Sequence, residues 1–511
     1  VVAVASYVVS YGGRVYDEVP LGILALALLY GVIRSHAPDV GRTALAYGVA
    51  AATLRAIAHA VAFLAPTTGH GLASDEGFAV LMAISAPAAS ALAVTSRSSH
   101  AQNLFSAVAP FLFLSGVSTG SRTAVVAGAV GCVSAMLLAK GFSTWFPPVR
   151  RARALAVGGA LAAVVLSVAA LYHLRPESVH ARAVASFIAV ESVEGRWLMG
   201  GGAGGYEHNY MVAQAAHFSD PMAITRDRMI VGYRDHADNE WVQVLAELGV
   251  VGVGLALIIA LALLRVAFRV SNEQRSPGVV CAGAILVAAS LAALTTSPLR
   301  TVPTAVVLVL AVGLLMARSG STDRSSSLLA KRLTPPRWLV RALSLVMILG
   351  ATRTALANAD ARRALDLAAA GRLDDAIAYQ TRAAPVLLNN PRFLVTFGGT
   401  LFADAEYRRA QIVLERAVTQ GGDPKGHLLL GRIHQGIGNL EASHRHYLVA
   451  SQMMPHWIEP QYRIVHLLFE NGETLRARHL AHQALGLEVK VPSPATQMMR
   501  HSLASVAGDP L

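Results

Sequence analysis

The chain has 511 residues, of which 54% are hydrophobic and only 14% are charged. Soluble domains carry about 25% charged residues, so most of this chain is expected to be solvated by lipid. The net charge of +12 does not indicate nucleic-acid binding, because many basic residues lie in short stretches between apolar segments, where Lys and Arg orient membrane proteins. The two cysteines, Cys132 and Cys281, lie inside apolar runs, which argues against a disulfide framework or a cysteine zinc site.

Long apolar runs fill residues 1–357, whereas 358–511 have the composition of an ordinary soluble helical domain. The runs lack the alternation of barrel strands, so we predict an all-α fold with a polytopic helical membrane domain. A spanning helix needs about 20 mostly apolar residues, which gives about ten or eleven transmembrane helices, the first not a cleaved signal peptide. The candidate spans are 1–12, 20–33, 43–65, 77–94, 103–118, 122–140, 153–173, 241–264, 277–296, 301–317 and 338–357.

Three basic clusters orient these helices. By the positive-inside rule the clusters are cytoplasmic, which places the long loop 174–240 and residues 358–511 on the extracytoplasmic side. The clusters follow the 122–140 helix, follow the 241–264 helix and precede the 338–357 helix: Lys140, Arg150, Arg151 and Arg153; Arg265, Arg269 and Arg275; Arg318, Arg324, Lys331, Arg332 and Arg337.

Small residues recur in the C-terminal part with a period typical of tetratricopeptide repeats, which predicts a tetratricopeptide-type α-solenoid over 358–511. Such arrays usually bind proteins, so a protein partner is expected; the alternative is that the array only packs onto the membrane domain. The recurring sets are Gly371, Ala405, Gly438 and Gly472; Ala376, Ala410, Ser443 and Ala477; Ala383, Ala417, Ala450 and Ala484; and Ala364, Gly398, Gly431 and Val465.

The loop 174–240 is too long for a simple connection, and loops above about 15 residues are usually functional or disordered. Its end, Tyr233–Trp241, is polar and comes directly before an apolar helix. Asp238 or Asn239 is expected to cap that helix, whose positive dipole end would then face anionic headgroups. His236 and Asp238 are able to take a proton from a hydroxyl. The alternative is that Asp238 is only a cap and His236 only an interfacial side chain.

The same loop contains a glycine run, Gly200–Tyr206, interpreted here as a flexible turn in a substrate lid. The run lacks the Lys-Ser/Thr ending of a nucleotide-binding P-loop. Metal binding is not predicted either, because the spacing of the available ligands fits no tight zinc motif. Those ligands are Glu207, His208, His217 and His236.

Arg122 follows the turn Ser118–Ser121 and begins an apolar helix. An arginine in or at a membrane is costly, and its planar fork suits phosphate, so Arg122 is a candidate phosphate ligand. The alternative is an arginine that only extends to the membrane interface.

Three segments together resemble a known family. The run from His236 to Gly252, HADNEWVQVLAELGVVG, resembles the signature of the O-antigen ligase and polymerase superfamily, where a His-Asn-Glu/Asp-aromatic-Leu-Gln stretch leads into an Ala-Glu-x-Gly helix. Ser121–Ala124 is similar to its Ser-Arg-small-Ala element, and Gly200–Tyr206 to its Gly-x-Gly-x-Gly-x-aromatic segment. Members of the family also carry C-terminal tetratricopeptide extensions.

The resemblance implies a metal-independent, cofactor-free, inverting glycosyltransferase of the bacterial cytoplasmic membrane. Its donor would be a glycan on undecaprenyl diphosphate, and its acceptor lipid A-core in lipopolysaccharide synthesis, another lipid-linked glycan, or a protein. Arg122 matches the family's first diphosphate-binding arginine, and Arg182 is matched to its loop arginine, with Arg196 as the alternative. The supporting positions implied by the same match are Gly200, Gly202, Asn239, Glu240 and Glu247.

One departure from the family pattern affects the catalytic assignment. The family's catalytic histidine directly precedes Asn, but here Asp238 holds that place and His236 lies two residues earlier. Either Asp238 takes the role of base, or His236 substitutes, or activity is lost. The last case keeps open a non-catalytic membrane scaffold that recruits partners of envelope polysaccharide assembly through its repeats. A transporter is less favoured, because the apolar runs are nearly free of charged residues, with Arg55 and His59 as exceptions.

Overall fold

The computed structural model describes residues 76–95, 99–118, 121–140, 176–219, 225–274, 276–299, 302–319, 337–487 and 492–508. Within these ranges the chain forms helices and turns without a strand, which confirms the all-α class. The spans predicted at 1–12, 20–33, 43–65 and 153–173 lie outside the described residues.

The described helices before the repeats form one apolar bundle and one group of helices in the long loop. In the bundle, α1 packs against α2, α3 and α8, and α8 is buried on almost all sides. The segment predicted as a loop is itself largely helical, in α4, α5 and α6. The bounds are α1 Glu76–Thr95, α2 Ser99–Ser118, α3 Arg122–Lys140, α4 Pro176–Glu191, α5 Tyr206–Ser219, α6 Thr225–Ile230, α7 Glu240–Gln274, α8 Pro277–Ala292 and α9 Val302–Ser319.

Small side chains set the close packing of this bundle. A Cβ added at Gly131 of α3 would lie 2.8 Å from the Cβ of Ala288 in α8, closer than real carbon atoms approach. Cys281 and Ile285 of α8 have no exposed surface. A helix that is apolar on all sides belongs to the interior of a bundle.

Two of the described helices are long and apolar enough to cross a membrane, Phe78–Thr95 in α1 and Glu240–Val270 in α7. The first is buried among its neighbours, whereas the second exposes nearly all of its apolar side chains. Three further apolar helices are shorter than this criterion requires: Thr123–Ala139, Pro277–Ala292 and Thr304–Met316. The described residues thus contain fewer membrane-length helices than the ten or eleven spans predicted for the whole chain.

A single helix, α10, Arg337–Ala369, joins the bundle side of the chain to the repeats. The last predicted span, 338–357, is its N-terminal part. The domain boundary predicted between 357 and 358 therefore lies inside a continuous helix, because the apolar run ends there while the helical backbone does not.

The repeat pattern is confirmed by the backbone. Consecutive helices pair across tight turns. The second residue after α10, α12, α14 and α16 has a left-handed backbone: Gly371 (φ 77°), Ala405 (φ 62°), Gly438 (φ 80°) and Gly472 (φ 84°). The helices are α11 Leu373–Leu387, α12 Pro391–Ala403, α13 Tyr407–Gln420, α14 Pro424–Gly436, α15 Leu440–Met453, α16 Ile458–Glu470, α17 Thr474–Leu485 and α18 Pro494–Ala507. The three predicted sets of small positions within the helices are buried, with Ala376, Ala410, Ser443 and Ala477 fully buried.

Ala405 is the one non-glycine residue with positive φ among the described residues. A left-handed backbone costs an L-residue about 1–2 kcal/mol, a cost that glycine largely avoids. We therefore expect Ala405→Gly to raise the free energy of unfolding by about 1 kcal/mol. The matched control is Gly438→Ala, at the equivalent position of the next repeat, where an added Cβ meets nothing within 4 Å. This control should lower stability by a similar amount in denaturant unfolding of the solubilised chain; shifts of the same sign would contradict the argument.

Three histidines form a row between α14 and α15. The Nδ1 atoms of His427 and His446 are 3.1 Å apart, and the rings of His434 and His446 stack at 5.3 Å. Burial, and then the neighbouring imidazoles His446 and His208, lower the pKa of His427 from 6.5 to about 4. Burial, and then His434 and Arg445, lower the pKa of His446 to about 4 as well. The rings of His427 and His446 are therefore neutral at neutral pH.

The row predicts acid sensitivity of the repeats. In the unfolded chain His427 and His446 take up protons near pH 6.5, but in the folded chain only near pH 4, so the unfolded state binds more protons in between. Stability is expected to fall as the pH drops from about 6.5 to about 4. Hydrogen exchange of α14 and α15, corrected for intrinsic pH dependence, should show faster opening at pH 4.5 than at pH 7. His446→Gln should remove part of this difference, and the exposed His479→Gln should remove none.

Candidate functional site

The glycine run inserts into a break in helix α7. Gly249 has φ 65° and ψ −166°, so the helix is interrupted there. An unbroken helix would join the amides of Val250 and Val251 to the carbonyls of Ala246 and Glu247. Instead, the amide of Gly201 donates to Ala246 (2.8 Å) and that of Gly202 to Glu247 (2.9 Å). In return, the amides of Val250 and Val251 donate to the carbonyls of Trp197 (2.8 Å) and Leu198 (3.3 Å).

Two glycines make this insertion possible. A Cβ at Gly200, which has φ +69°, would lie 2.5 Å from the carbonyl carbon of Glu247. A Cβ at Gly249 would lie 2.5 Å from the carbonyl carbon of Leu198. Both positions therefore need the positive φ and the missing side chain. Gly202, by contrast, has open space around it and contributes its amide alone.

The start of α7 is fixed by Asn239. Its Oδ1 accepts hydrogen bonds from the amides of Trp241 (2.8 Å) and Val242 (3.3 Å), so Asn239 is the cap and Asp238 is not. Its Nδ2 donates to the carbonyl of Leu294 (2.8 Å), and the amide of Glu240 donates to that of Ala293 (3.0 Å). The turn after α8 thus holds the first residues of α7.

The same turn brings the start of α3 to this end of the bundle. The hydroxyls of Thr123 and Thr295 are 2.6 Å apart, and Ser297 donates to the carbonyl of Ala237 (2.7 Å). Arg122 is the first residue of α3, directly before Thr123. The backbone at the start of α3 and the segment 237–240 therefore contact the same turn, residues 293–297.

A buried amide and carboxylate hold the segment from the inside. Gln243 accepts from the amide of Ala237 (2.7 Å) through Oε1 and donates through Nε2 to Glu247 Oε1 (2.6 Å). Gln243 and Glu247 are both buried. Glu247, predicted as a supporting residue, therefore acts through Gln243 on the backbone beside Asp238.

Asp238 lies against two arginines. Its Oδ2 is 2.5 Å from Arg234 Nη1 and 3.8 Å from Arg182 Nε. Burial alone would lower the pKa of Arg234, but the neighbouring Asp238 carboxylate outweighs it and raises that pKa, so the guanidinium stays charged. Two guanidinium groups thus lie against one carboxylate oxygen.

His236 is paired with its neighbour Asp235. The distance between His236 Nδ1 and Asp235 Oδ1 is 2.6 Å, and the other carboxylate oxygen, Oδ2, is 2.6 Å from Arg392 Nη2. Burial alone would raise the pKa of Asp235, but the contacts with His236 and Arg392 hold it well below its usual range. A carboxylate that engages Nδ1 fixes the orientation of the imidazole, as in a histidine oriented by an aspartate.

Arg392 belongs to the repeats and reaches a second acidic group. Its Nε donates to the Tyr233 hydroxyl (3.0 Å) and lies 3.6 Å from Glu207 Oε2, while Tyr233 donates to Glu207. Burial, and then the Glu207 carboxylate, raise the pKa of Tyr233 far above its usual range, so the phenol stays a neutral donor. Tyr233, Glu207 and Arg392 thus form one satisfied network beside Asp235.

The two arginines that were alternatives for the loop position lie in different surroundings. Arg182 Nε is 3.8 Å from Asp238 Oδ2, whereas Arg196 binds the Asn209 side chain (3.1 Å) and the carbonyl of Ser192 (3.2 Å). Arg234, Asp235 and Arg392 were not predicted as site residues. The polar stretch before α7 contains Arg234 and Asp235 and was the signal that could have identified them.

The histidines and acidic residue weighed as zinc ligands have other partners. His208 Nδ1 is 3.3 Å from the carbonyl of Gly421, and His217 Nδ1 is 3.1 Å from Glu191. Glu207 and His236 belong to the networks described above. The described part of the chain contains no group of three His, Cys, Asp or Glu side chains arranged to hold a metal ion.

The similarity of this chain to known proteins lies among solved structures. No protein-family model and no curated protein matches this chain. Among solved structures, the crystal structure of MamA protein is similar over 30% of this chain and 83% of its own length, with 15% identity and a TM-score of 0.26.

The insertion at Gly249 makes a stability prediction. Gly200→Ala would place a methyl against the Glu247 backbone in a left-handed position, so we expect a loss of about 2–4 kcal/mol. Gly204→Ala is the matched control, because Gly204 also has positive φ (77°) but nothing within 4 Å of an added Cβ; it should cost about 1 kcal/mol. Thermal unfolding of the solubilised chain measures both. Equal losses would show that the glycine run does not need its close approach to α7.

Proposed function

We propose that this protein is a polytopic membrane glycosyltransferase that moves a glycan from undecaprenyl diphosphate to an acceptor hydroxyl. The reaction is of the O-antigen ligase or polysaccharide polymerase type, at the outer face of the bacterial cytoplasmic membrane. The observation that carries the proposal is the juxtaposition, at the start of α7, of an aspartate-oriented histidine with an arginine pair.

The apolar surface of α7 supports membrane placement. Over Glu240–Val270 the helix is long enough to span a bilayer, and its apolar side chains face outward rather than into the protein. Exposed residues include Leu255, Ile258 and Leu261. A soluble protein rarely exposes such a continuous apolar surface, whereas lipid solvates it. The polar site at residues 234–239 then lies at one end of this helix, at the depth of lipid headgroups.

The arginine pair suits a diphosphate. Guanidinium groups bind phosphate oxygens through paired N–H donors. Asp238 holds the guanidinium groups of Arg182 and Arg234 close to each other, as binding of one diphosphate by both would require. Arg122 begins α3 at the same turn and is the third arginine of the proposed donor site.

We assign the role of base to His236 rather than to Asp238. Asp238 Oδ2 is engaged by two arginines, whereas His236 is held at Nδ1 by one carboxylate and its side chain is 43% exposed. In the reaction, the acceptor hydroxyl oxygen bonds to the anomeric carbon while the bond from that carbon to the diphosphate oxygen breaks. His236 takes the hydroxyl proton, and undecaprenyl diphosphate leaves with the bond's electron pair, its charge balanced by the arginines. Attack opposite the leaving group gives inversion.

The second candidate is a non-catalytic scaffold that recruits partners of envelope polysaccharide assembly through its repeats. The observation in its favour is the same Asp238, which stands at the family's histidine position and is neutralised by arginines. Under this alternative the 233–238 segment serves only to dock the repeats.

Complementation of a deletion strain of the source bacterium tests the proposal, with surface glycan measured per molecule of membrane-inserted chain. His236→Ala should reduce glycan transfer roughly a hundredfold or more, the usual contribution of a general base. Arg122→Ala and Arg182→Ala should reduce it by weakening donor binding, and Asp238→Asn should reduce it less than His236→Ala.

Two control variants match the type of residue. His217→Ala removes a histidine of the same loop that pairs with Glu191, and Arg409→Ala removes an exposed arginine of the repeats that pairs with Glu406. Both should support normal glycan. Wild-type glycan in His236→Ala together with loss in Asp238→Asn would move the base to Asp238. Wild-type glycan in every site variant at normal abundance would leave the scaffold as the better account.

A further inference from the structure

The repeats and the loop helices meet at a close backbone contact. A Cβ added at Gly422, between α13 and α14, would lie 2.7 Å from Met211 Cγ and 2.9 Å from the carbonyl oxygen of Glu207, both in α5. Gln214 of α5, fully buried, donates to the carbonyl of Met453 at the end of α15 (2.5 Å). The repeat array is therefore seated directly on the helix that carries Glu207.

This seating fixes the position of Arg392. The residue lies in the first turn of α12, where Asn390 caps the helix by accepting from the amide of Phe393 (3.0 Å) and Pro391 opens it. A Cβ at Gly421 would lie 2.6 Å from Pro391 Cγ, so the turn that touches α5 also packs against the start of α12. The backbone from which Arg392 extends is thus tied to the contact with the loop helices.

The guanidinium uses both of its edges at the site. Nη2 binds Asp235 Oδ2, Nε binds the Tyr233 hydroxyl, and the group lies over the Tyr233 ring with its carbon 5.3 Å from the ring centre. Asp235 is 40% exposed, so without this bond its carboxylate could turn toward water. Arg392 therefore determines which oxygen of Asp235 faces His236.

We propose that Arg392 of the repeat domain is a positioning residue for the transfer reaction: it holds Asp235 on His236, so that the site is complete only when the repeats are docked. This inference rests on the proposed function, because His236 is the base there. The repeat array would then contribute a residue to the transfer site as well as a surface for partners. Arg392 itself touches neither reacting group.

The test measures transfer of the endogenous lipid-linked glycan in right-side-out membrane vesicles, using the full chain and normalising to its abundance. Arg392→Gln should lower the rate about ten- to a hundredfold, as expected for loss of a group that orients a catalytic side chain. Arg392→Lys should recover part of the rate, because one amine replaces only one edge of the fork. The matched control is Arg382→Gln, which also removes an arginine that lies over a tyrosine (Tyr379, 4.8 Å) and near an aspartate (Asp360, 4.0 Å), but within the repeats.

Two further readouts separate positioning from folding. If Arg392 acts through Asp235, the double variant Arg392→Gln/Asp235→Asn should be no slower than Asp235→Asn alone, whereas independent effects would multiply. Gly422→Ala should reproduce the loss without altering any charged group, because its methyl pushes the array away from α5; Gly436→Ala, with open space around it, should not.

The direction in which the acidic limb of the pH–rate profile shifts distinguishes loss of positioning from a folding defect. The charged groups around the segment come from four elements besides the segment itself: Arg182 from α4, Glu207 from α5, Arg392 from α12 and Asp423 before α14, together with Arg234, Asp235 and Asp238 in the segment. In Arg392→Gln the Asp235 charge is no longer shared and stabilises a protonated imidazole, so the acidic limb of the rate profile should move to higher pH. In Asp235→Asn it should move to lower pH.

The outcomes distinguish this inference from the proposed function. If His236→Ala abolishes transfer while Arg392→Gln and Gly422→Ala keep wild-type rate and pH profile, the positioning role is wrong and the proposed function stands. If His236→Ala keeps wild-type transfer, the assignment of the base is wrong, and the inference is overturned with it. Multiplying losses in the double variant would also overturn the inference, even where both single variants are impaired.

Discussion

At Gly249 the helix that runs from Glu240 to Gln274 lacks two of its own backbone hydrogen bonds. Four backbone hydrogen bonds with the segment 197–202 replace them, two donated and two accepted by the helix. All four exposed backbone groups are thereby satisfied by protein, which is the condition for irregular backbone in apolar surroundings. The exchange ties the glycine run, and through it α5, to the first two turns of α7. The polar segment 233–238 leads directly into the part of α7 that this exchange of hydrogen bonds holds.

The segment 233–238 has no regular secondary structure of its own, and its charged side chains are held from outside. Arg182 comes from α4 and Arg392 from the repeats, while Ser297 after α8 and Gln243 in α7 fix the backbone at Ala237. Two neighbouring aspartates therefore have different partners: Asp238 pairs with arginines alone, and Asp235 is shared between an arginine and a histidine. This division is the physical basis for giving them different roles.

The repeats could be predicted closely because their turns need glycine or a small residue at a fixed spacing, and that need is visible in the sequence at Gly371, Gly438 and Gly472. The cap of α7 was predicted from the local pattern as Asp238 or Asn239, whereas Arg182 was matched only through the family resemblance. Arg392 was not, because nothing near it in sequence distinguishes it from other arginines of the array; its role arises from a contact 157 residues away from Asp235. The pairing of His236 with Asp235 was missed because adjacent residues usually point apart, and only the irregular backbone brings them together.

The helix α10 has 33 residues and thus a length of about 50 Å. It packs against α11, which in turn packs against α12, the helix that carries Arg392. A rod of this length amplifies small rotations, because a tilt of a few degrees at one end displaces the other end by several ångströms. A change in the tilt of α10 would therefore be carried through the first repeat to Arg392.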